Sequence, residues 1–122
     1  MKREVKTYQN LLVWQKGIEI VKMAYSLCRQ MPKEELFALQ SQIKRASVSV
    51  PSNIAEGYGQ EYTKNYLRFL KIARGSLYEL ETQMIIARDL NFIEDGEFQS
   101  ISNLMIEENK MLNAFIRSIE SS

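Results

Sequence analysis

At 122 residues the chain is long enough for one hydrophobic core and too short for two. Hydrophobic residues make up 45% and charged residues 25%, a globular balance, and five glycines with two prolines argue against long structureless loops. The formal net charge of +1 speaks neither for nor against a nucleic-acid partner, so a basic signal must come from how charges are arranged.

There is no internal repeat and no low-complexity segment. Apolar residues recur every three or four positions in four stretches, and nowhere is there sustained alternation of period two. After a basic tail at 1–9, a first helix is expected over 12–31. Trp14, Ile18, Val21, Tyr25 and Cys28 share one face, Ile20, Ala24, Leu27 and Met31 widen that stripe, and Lys16, Glu19, Lys22, Ser26 and Arg29 take the other face. Pro32 ends it, because the residue before a proline is steered away from helical angles.

A second helix is expected over 34–57, with Glu34 and Glu35 at its positive end. Leu36, Leu39, Ile43, Ala46, Val50 and Ile54 keep the helical spacing through Pro51. Pro51 lacks the amide hydrogen that would reach the Ser47 carbonyl, a loss of ~3 kcal/mol inside a helix. Because the stripe continues in register, a kink rather than a break is expected. Ser47, Ser49, Ser52 and Asn53 are candidates for satisfying the freed carbonyl, and Gly57 and Gly59 for stopping the helix.

The third helix, over 63–90, has the clearest pattern: Tyr66, Leu70, Ala73, Leu77, Leu80, Met84 and Ala87 in unbroken four-three spacing. Thr63 is the expected N-cap, and Asn91 suits a left-handed C-terminal turn. Gly75 in mid-helix costs about 1 kcal/mol against alanine, so a close helix approach, with the Pro51 turn packed opposite, is expected there. A fourth helix over 96–119 follows Asp95 as N-cap and carries Phe98, Ile101, Met105, Leu112, Phe115 and Ile119. Four helices on short links pack as an all-α, antiparallel up-down-up-down four-helix bundle, with heptad spacing favouring crossing angles near +20°.

Composition also bounds the chemistry. The chain has no histidine, which removes the commonest general base and metal ligand and the Glu-x-x-His pairs of di-metal bundles. Cys28 is the single cysteine, so no metal site, no cofactor and no catalytic residue is expected, and the lone thiol fits a reducing compartment. No uninterrupted apolar run exceeds four residues, and no apolar leader follows the basic start, so no membrane role and a cytoplasmic location are expected.

Three blocks carry a family resemblance: Leu12-Val13-Trp14-Gln15-Lys16; residues 42–57, which include Ser47-Val48-Ser49-Val50-Pro51-Ser52-Asn53-Ile54-Ala55-Glu56-Gly57; and residues 69–81, which include Ala73-Arg74-Gly75-Ser76-Leu77. Together and in this order they resemble the 23S rRNA intervening-sequence proteins, bacterial four-helix bundles. Pro51, Ser52, Asn53, Glu56, Gly57 and Gly75 form the structural part of the match. The resemblance implies a homopentamer, and a likeness in fold to the accessory variability determinant proteins of diversity-generating retroelements. Those form basic pentameric barrels that bind nucleic acid and a reverse transcriptase. Some members of the family are encoded in insertions within large-subunit rRNA genes, and most have no established biochemical activity.

The candidate binding residues are cations. Lys64, Arg68 and Lys71 share one face of the third helix, Arg74 lies a turn on, and Lys44 and Arg45 sit on the second. Adjoining faces would make one patch of about six cations, each phosphate contact adding roughly one unit to the salt slope of binding. The plain alternative is a solvated helix face. Tyr58 and Tyr62 flank the stripe as candidates for stacking on bases, with Tyr66 assigned to the core. Glu56, Glu79 and Glu81 are read as surface or interface ion-pair partners, for example of Arg45 or Arg74, rather than acid–base pairs. Glu108 falls on the apolar seam, either as a buried partner of Lys44, Arg45 or the Ser52-Asn53 region, or at a rim.

Two functions are therefore expected to compete. One is a homo-oligomeric, non-enzymatic bundle that binds nucleic acid, RNA more than DNA, through the cations. The other is a protein-interaction scaffold or accessory subunit, for instance of a reverse transcriptase, which would use exposed apolar surface instead.

Overall fold

The computed structural model describes residues 7–122. It contains α1 (Leu12–Cys28), α2 (Leu39–Tyr58), α3 (Thr63–Asp89) and α4 (Asp95–Glu120), with short 3-10 turns at Tyr8–Asn10 and Lys33–Glu35, and no strand among the described residues. Each helix packs on two neighbours in the cycle α1–α2–α3–α4–α1, and the diagonal pairs do not approach at backbone level. In every adjacent pair, residue numbers run in opposite directions along the contact. Gly17 meets Pro51 and Cys28 meets Gln40; Gly57 meets Phe69 and Ser49 meets Ser76. Tyr66 meets Phe115 and Arg88 meets Phe98; Val13 lies by Phe115 and Lys16 by Glu107. The helices form an all-α four-helix bundle.

The apolar stripes read from the sequence supply most of the core, but in α1 Ile20, Ala24 and Leu27 are buried whereas Trp14, Ile18, Val21 and Tyr25 are only partly so. Ile20, Ile43, Leu70, Leu80, Met105 and Leu112 are among the fully buried side chains. α2 runs unbroken through Pro51. Val50 and Ile54, both fully buried, flank it. Each such side chain stabilises by roughly 1.5–3 kcal/mol, enough to offset the proline penalty.

The ends differ from expectation. The basic tail expected at 1–9 lies outside the described residues up to residue 6; beyond it Thr7 caps the Tyr8–Asn10 turn. α1 stops at Cys28 rather than 31, and α2 begins at Leu39 rather than 34. Leu36 fitted the helical spacing, yet it is exposed and Phe37 is 92% exposed. With no core for these side chains to enter, nothing stabilises an extra turn so close to Pro32. Gln40, not Leu36, is buried at this end, and its side-chain amide donates to the Pro32 carbonyl at 3.1 Å.

Thr63 is the first helical residue of α3; the N-cap is Tyr62, which makes no side-chain cap. Glu94, not Asp95, caps α4, and the Glu97 carboxylate accepts the Glu94 backbone N–H at 3.0 Å. Asn91 takes the left-handed conformation (φ 63°), and the Phe92 and Asn91 amides donate to the Ala87 and Arg88 carbonyls, the Schellman pattern.

The glycines also differ. Gly57 does not stop α2 but lies buried within it; a Cβ there would stand 3.0 Å from both Phe69 Cβ and Tyr66 Cδ1. Gly59 is the C-cap. Gly75, expected at a close approach opposite Pro51, has no atom of another helix within 4 Å of where its Cβ would be. The glycine packed on Pro51 is Gly17 of α1.

Candidate nucleic-acid interface

The inner face of α3 holds Leu70, Ala73, Leu77, Leu80, Met84 and Ala87 in the core. Helical geometry then forces Lys64, Arg68 and Lys71, spaced four and three, onto its outer side, and all are exposed. With Thr63, Leu67 and Ile72 they line one open groove of about 670 Å³, whose accessible lining is mainly apolar. The Arg68 guanidinium lies 4.6 Å from the centre of the Phe69 ring, which stiffens its base. Lys71 Nζ is 3.4 Å from a Glu120 carboxylate oxygen, both side chains about half exposed. Such a pair is worth at most about 1 kcal/mol and yields to a stronger anion.

The remaining candidate cations are elsewhere. Arg74 is half-buried, and its Nη1 donates to Asn113 Oδ1 at 2.8 Å, which commits it to the α3–α4 contact. Lys44 lies 5.2 Å over the Tyr25 ring, on the side of α2 that faces α1. Arg45 is exposed in a separate polar pocket with Gln42, Ser49 and Glu79. Since Ser49 is level with Ser76, Arg45 sits further along α3 than Arg74, far from Lys64. The faces of α2 and α3 that bear cations do not adjoin, and the groove keeps Lys64, Arg68 and Lys71.

Among the tyrosines, Tyr62 is 65% exposed beside the groove. Tyr58 stacks edge-on against Tyr66 at 6.4 Å, and Tyr66 packs edge-on against Phe115 at 5.9 Å. Burial pushes the Tyr66 hydroxyl up to about 12, as suits a core residue. Glu56 and Glu79 are exposed and Glu81 half-buried. Arg45 shares its pocket with Glu79, whereas Arg74 is turned to Asn113.

The polar run of α2 makes a local network. Asn53 Nδ2 donates to the Ser49 carbonyl at 2.8 Å and to Ser49 Oγ at 2.9 Å, and Ser49 Oγ bonds Ser76 Oγ at 2.8 Å, joining α2 to α3. Ser47 Oγ donates to the Lys44 carbonyl, and Ser52 is exposed. These bonds go elsewhere than the Ser47 carbonyl, contrary to expectation. Glu108 is fully buried, and neither of its carboxyl oxygens has a hydrogen-bond partner among the described residues. It is neither at a rim nor paired with Lys44, Arg45, Ser52 or Asn53. No group of three or more metal-ligating side chains occurs among the described residues.

A sequence model of the 23S rRNA-intervening sequence proteins matches residues 9–114, most of the chain and every block of the motif. The chain belongs to this family. A structural neighbour supports the assignment: a protein of unknown function from the S23 ribosomal protein family of Bacteroides thetaiotaomicron VPI-5482. It superposes with a TM-score of 0.81 at 25% identity, over 87% of this chain and 96% of that one. No functionally curated protein matches. For a 23S rRNA-intervening sequence protein, then, the fold is shared and the function must be read from the surface. No helix is long and apolar enough to cross a membrane among the described residues.

Proposed function

We propose that this protein is a non-enzymatic, self-associating bundle that binds nucleic acid, RNA in preference to DNA, through the α3 groove. The observation that carries this reading is the convergence of Lys64, Arg68 and Lys71 on one open groove with exposed Tyr62 beside it. The cations supply phosphate contacts and Tyr62 a stacking face, a combination that tracks a single strand with little base specificity. Three cations make a weak site in one copy. Self-association repeats the site and raises the affinity by avidity, without any new contact.

The test is titration of a fluorescent single-stranded RNA across a salt series, beside the same sequence as DNA. Affinity should fall linearly with salt on logarithmic axes, by about two units of slope for three phosphates per copy. Absence of binding at low salt rejects the reading.

A second reading, a scaffold or accessory subunit that docks another protein such as a reverse transcriptase, is favoured by a different observation. Ile72, Tyr78, Ile85 and Ile86 are exposed on α3, and Phe37 projects from the α1–α2 connection. Reversing the charges at Lys64, Arg68 and Lys71 separates the two: it abolishes function under the first reading and spares it under the second.

A further inference from the structure

Gly17, Pro51 and Glu108 meet in one layer of the core. A Cβ at Gly17 would stand 3.3 Å from Pro51 Cβ, 3.5 Å from Pro51 Cδ and 3.4 Å from Glu108 Oε2. Gly17 thus leaves open the space between the α4 carboxyl and the proline turn of α2, the helix diagonally across the bundle. Side chains on a helix lean towards its N-terminus. Along α4 that direction runs from Gly17 towards Ile20 of α1, and so from Pro51 towards Ser47 of α2. Ser47 is buried on the same face as Pro51, and its carbonyl is the one to which residue 51 would have donated.

The nearby polar side chains are already committed. Ser47 donates to Lys44, Asn53 to Ser49, and Ser49 bonds Ser76. Glu108 has both oxygens buried and unpartnered, a state that penalises a charged carboxylate by several kcal/mol. Burial pushes its carboxyl up to about 8, while Lys16 pulls it down and Glu19 pushes it up. Those charges are both on α1, and Lys16 is held by Glu107. Between Arg45 and Glu56, α2 carries no ionisable side chain, and α3 faces this layer with Ala73, Ser76 and Leu77. At neutral pH the carboxyl therefore keeps its proton, and a protonated carboxyl is a donor.

We propose that Glu108 supplies the donor that Pro51 removed: its neutral carboxyl hydrogen-bonds the Ser47 carbonyl at the proline turn, and Gly17 keeps the path clear. Two diagonal helices are thereby tied through one proton, and the proline can sit inside α2 without an orphaned carbonyl.

A cycle of variants tests this by urea unfolding at pH 7. Glu108→Gln keeps a donor and is expected to retain at least the wild-type midpoint. Glu108→Leu lacks one and is expected to unfold at clearly lower urea than Glu108→Gln. In a Pro51→Ala background, where the amide hydrogen returns, the gap between the Gln and Leu variants is expected to close. If Glu108→Leu fails to fold alone, Pro51→Ala is expected to rescue it. A Leu variant as stable as the Gln variant with Pro51 present overturns the proposal, as does an equal gap in both backgrounds or a failed rescue. Infrared spectroscopy adds a direct readout: a protonated-carboxyl band at pH 7 that Glu108→Gln removes supports it, and its absence overturns it.

Discussion

The α3 groove and the Gly17–Pro51–Glu108 layer treat charge in opposite ways. In the groove, Lys64, Arg68 and Lys71 stay in water, where a charge is solvated whether or not a partner arrives. Their arrangement can therefore wait for an external anion. In the core layer, Glu108 is fully buried and burial outweighs the pull of Lys16, so the low dielectric holds the proton on it. A surface charge is available for binding because leaving it unpaired costs little. A buried one is available only to the fold, and only in its neutral form.

The sharpest way to break this comparison is to titrate stability. The ordinary Glu value is 4.5 and the folded Glu108 value about 8. Between them the unfolded chain has released a proton that the folded chain retains. Stability is thus fully present below about pH 4.5, falls as pH rises through the window, and levels off above about 8. At 1.36 kcal/mol per unit the total approaches roughly 5 kcal/mol. Calorimetry from pH 5 to 9 should show that decline in the wild type and a flat response in Glu108→Gln from this group. Parallel slopes in the two proteins would mean that Glu108 ionises without penalty.

Next in size is the contrast between two glycines. Gly57→Leu should lose about 1–3 kcal/mol or more, since its Cβ already meets Tyr66 and Phe69 at 3.0 Å. Gly75→Ala should instead gain about 1 kcal/mol, because open space surrounds it and alanine favours the helix. Chemical denaturation of both variants measures the difference. A loss on Gly75→Ala accompanied by a smaller assembly would show that another copy packs there.

The groove has its own series. Lys64→Glu, Arg68→Glu and Lys71→Glu together should lower RNA affinity by roughly a hundredfold at 100 mM salt and flatten the salt slope by about two units. Reversing Lys44 and Arg45 should change affinity less than about threefold, because they lie outside the groove. Equal losses from the two sets would mean that the cations act together after all. Smallest of all, Glu120→Gln should free Lys71, raising RNA affinity slightly while shifting stability by less than about 1 kcal/mol.

Most of the fold was legible in the residues. Four apolar stripes at helical spacing specify four helices and, for α2, α3 and α4, their inner faces, since burying one face of each is the main source of stability. The stripe of α1 is so wide that only packing decided that its Ile20, Ala24 and Leu27 edge turns inward. The same periodicity places Lys64, Arg68 and Lys71 together on α3, because neighbours on a helix are set by the backbone alone. Legibility ended where a residue's role depends on another helix. Leu36 fits the second stripe but finds no core, so α2 starts a turn late. Arg74 looks like part of the basic stripe until Asn113 of α4 takes it. Gly17 carried a weak signal, a glycine inside an apolar helical pattern; Asn113 and Glu120 carried none.

By itself, then, the sequence determined the class of fold, the family and the inward faces of α2, α3 and α4, all of which follow from local spacing and burial. Only the tertiary structure decided which cations share a groove, which glycine meets the proline, and that Glu108 is fully enclosed. Those facts turn on distances between helices, and no one-dimensional pattern encodes how two antiparallel helices line up level with level.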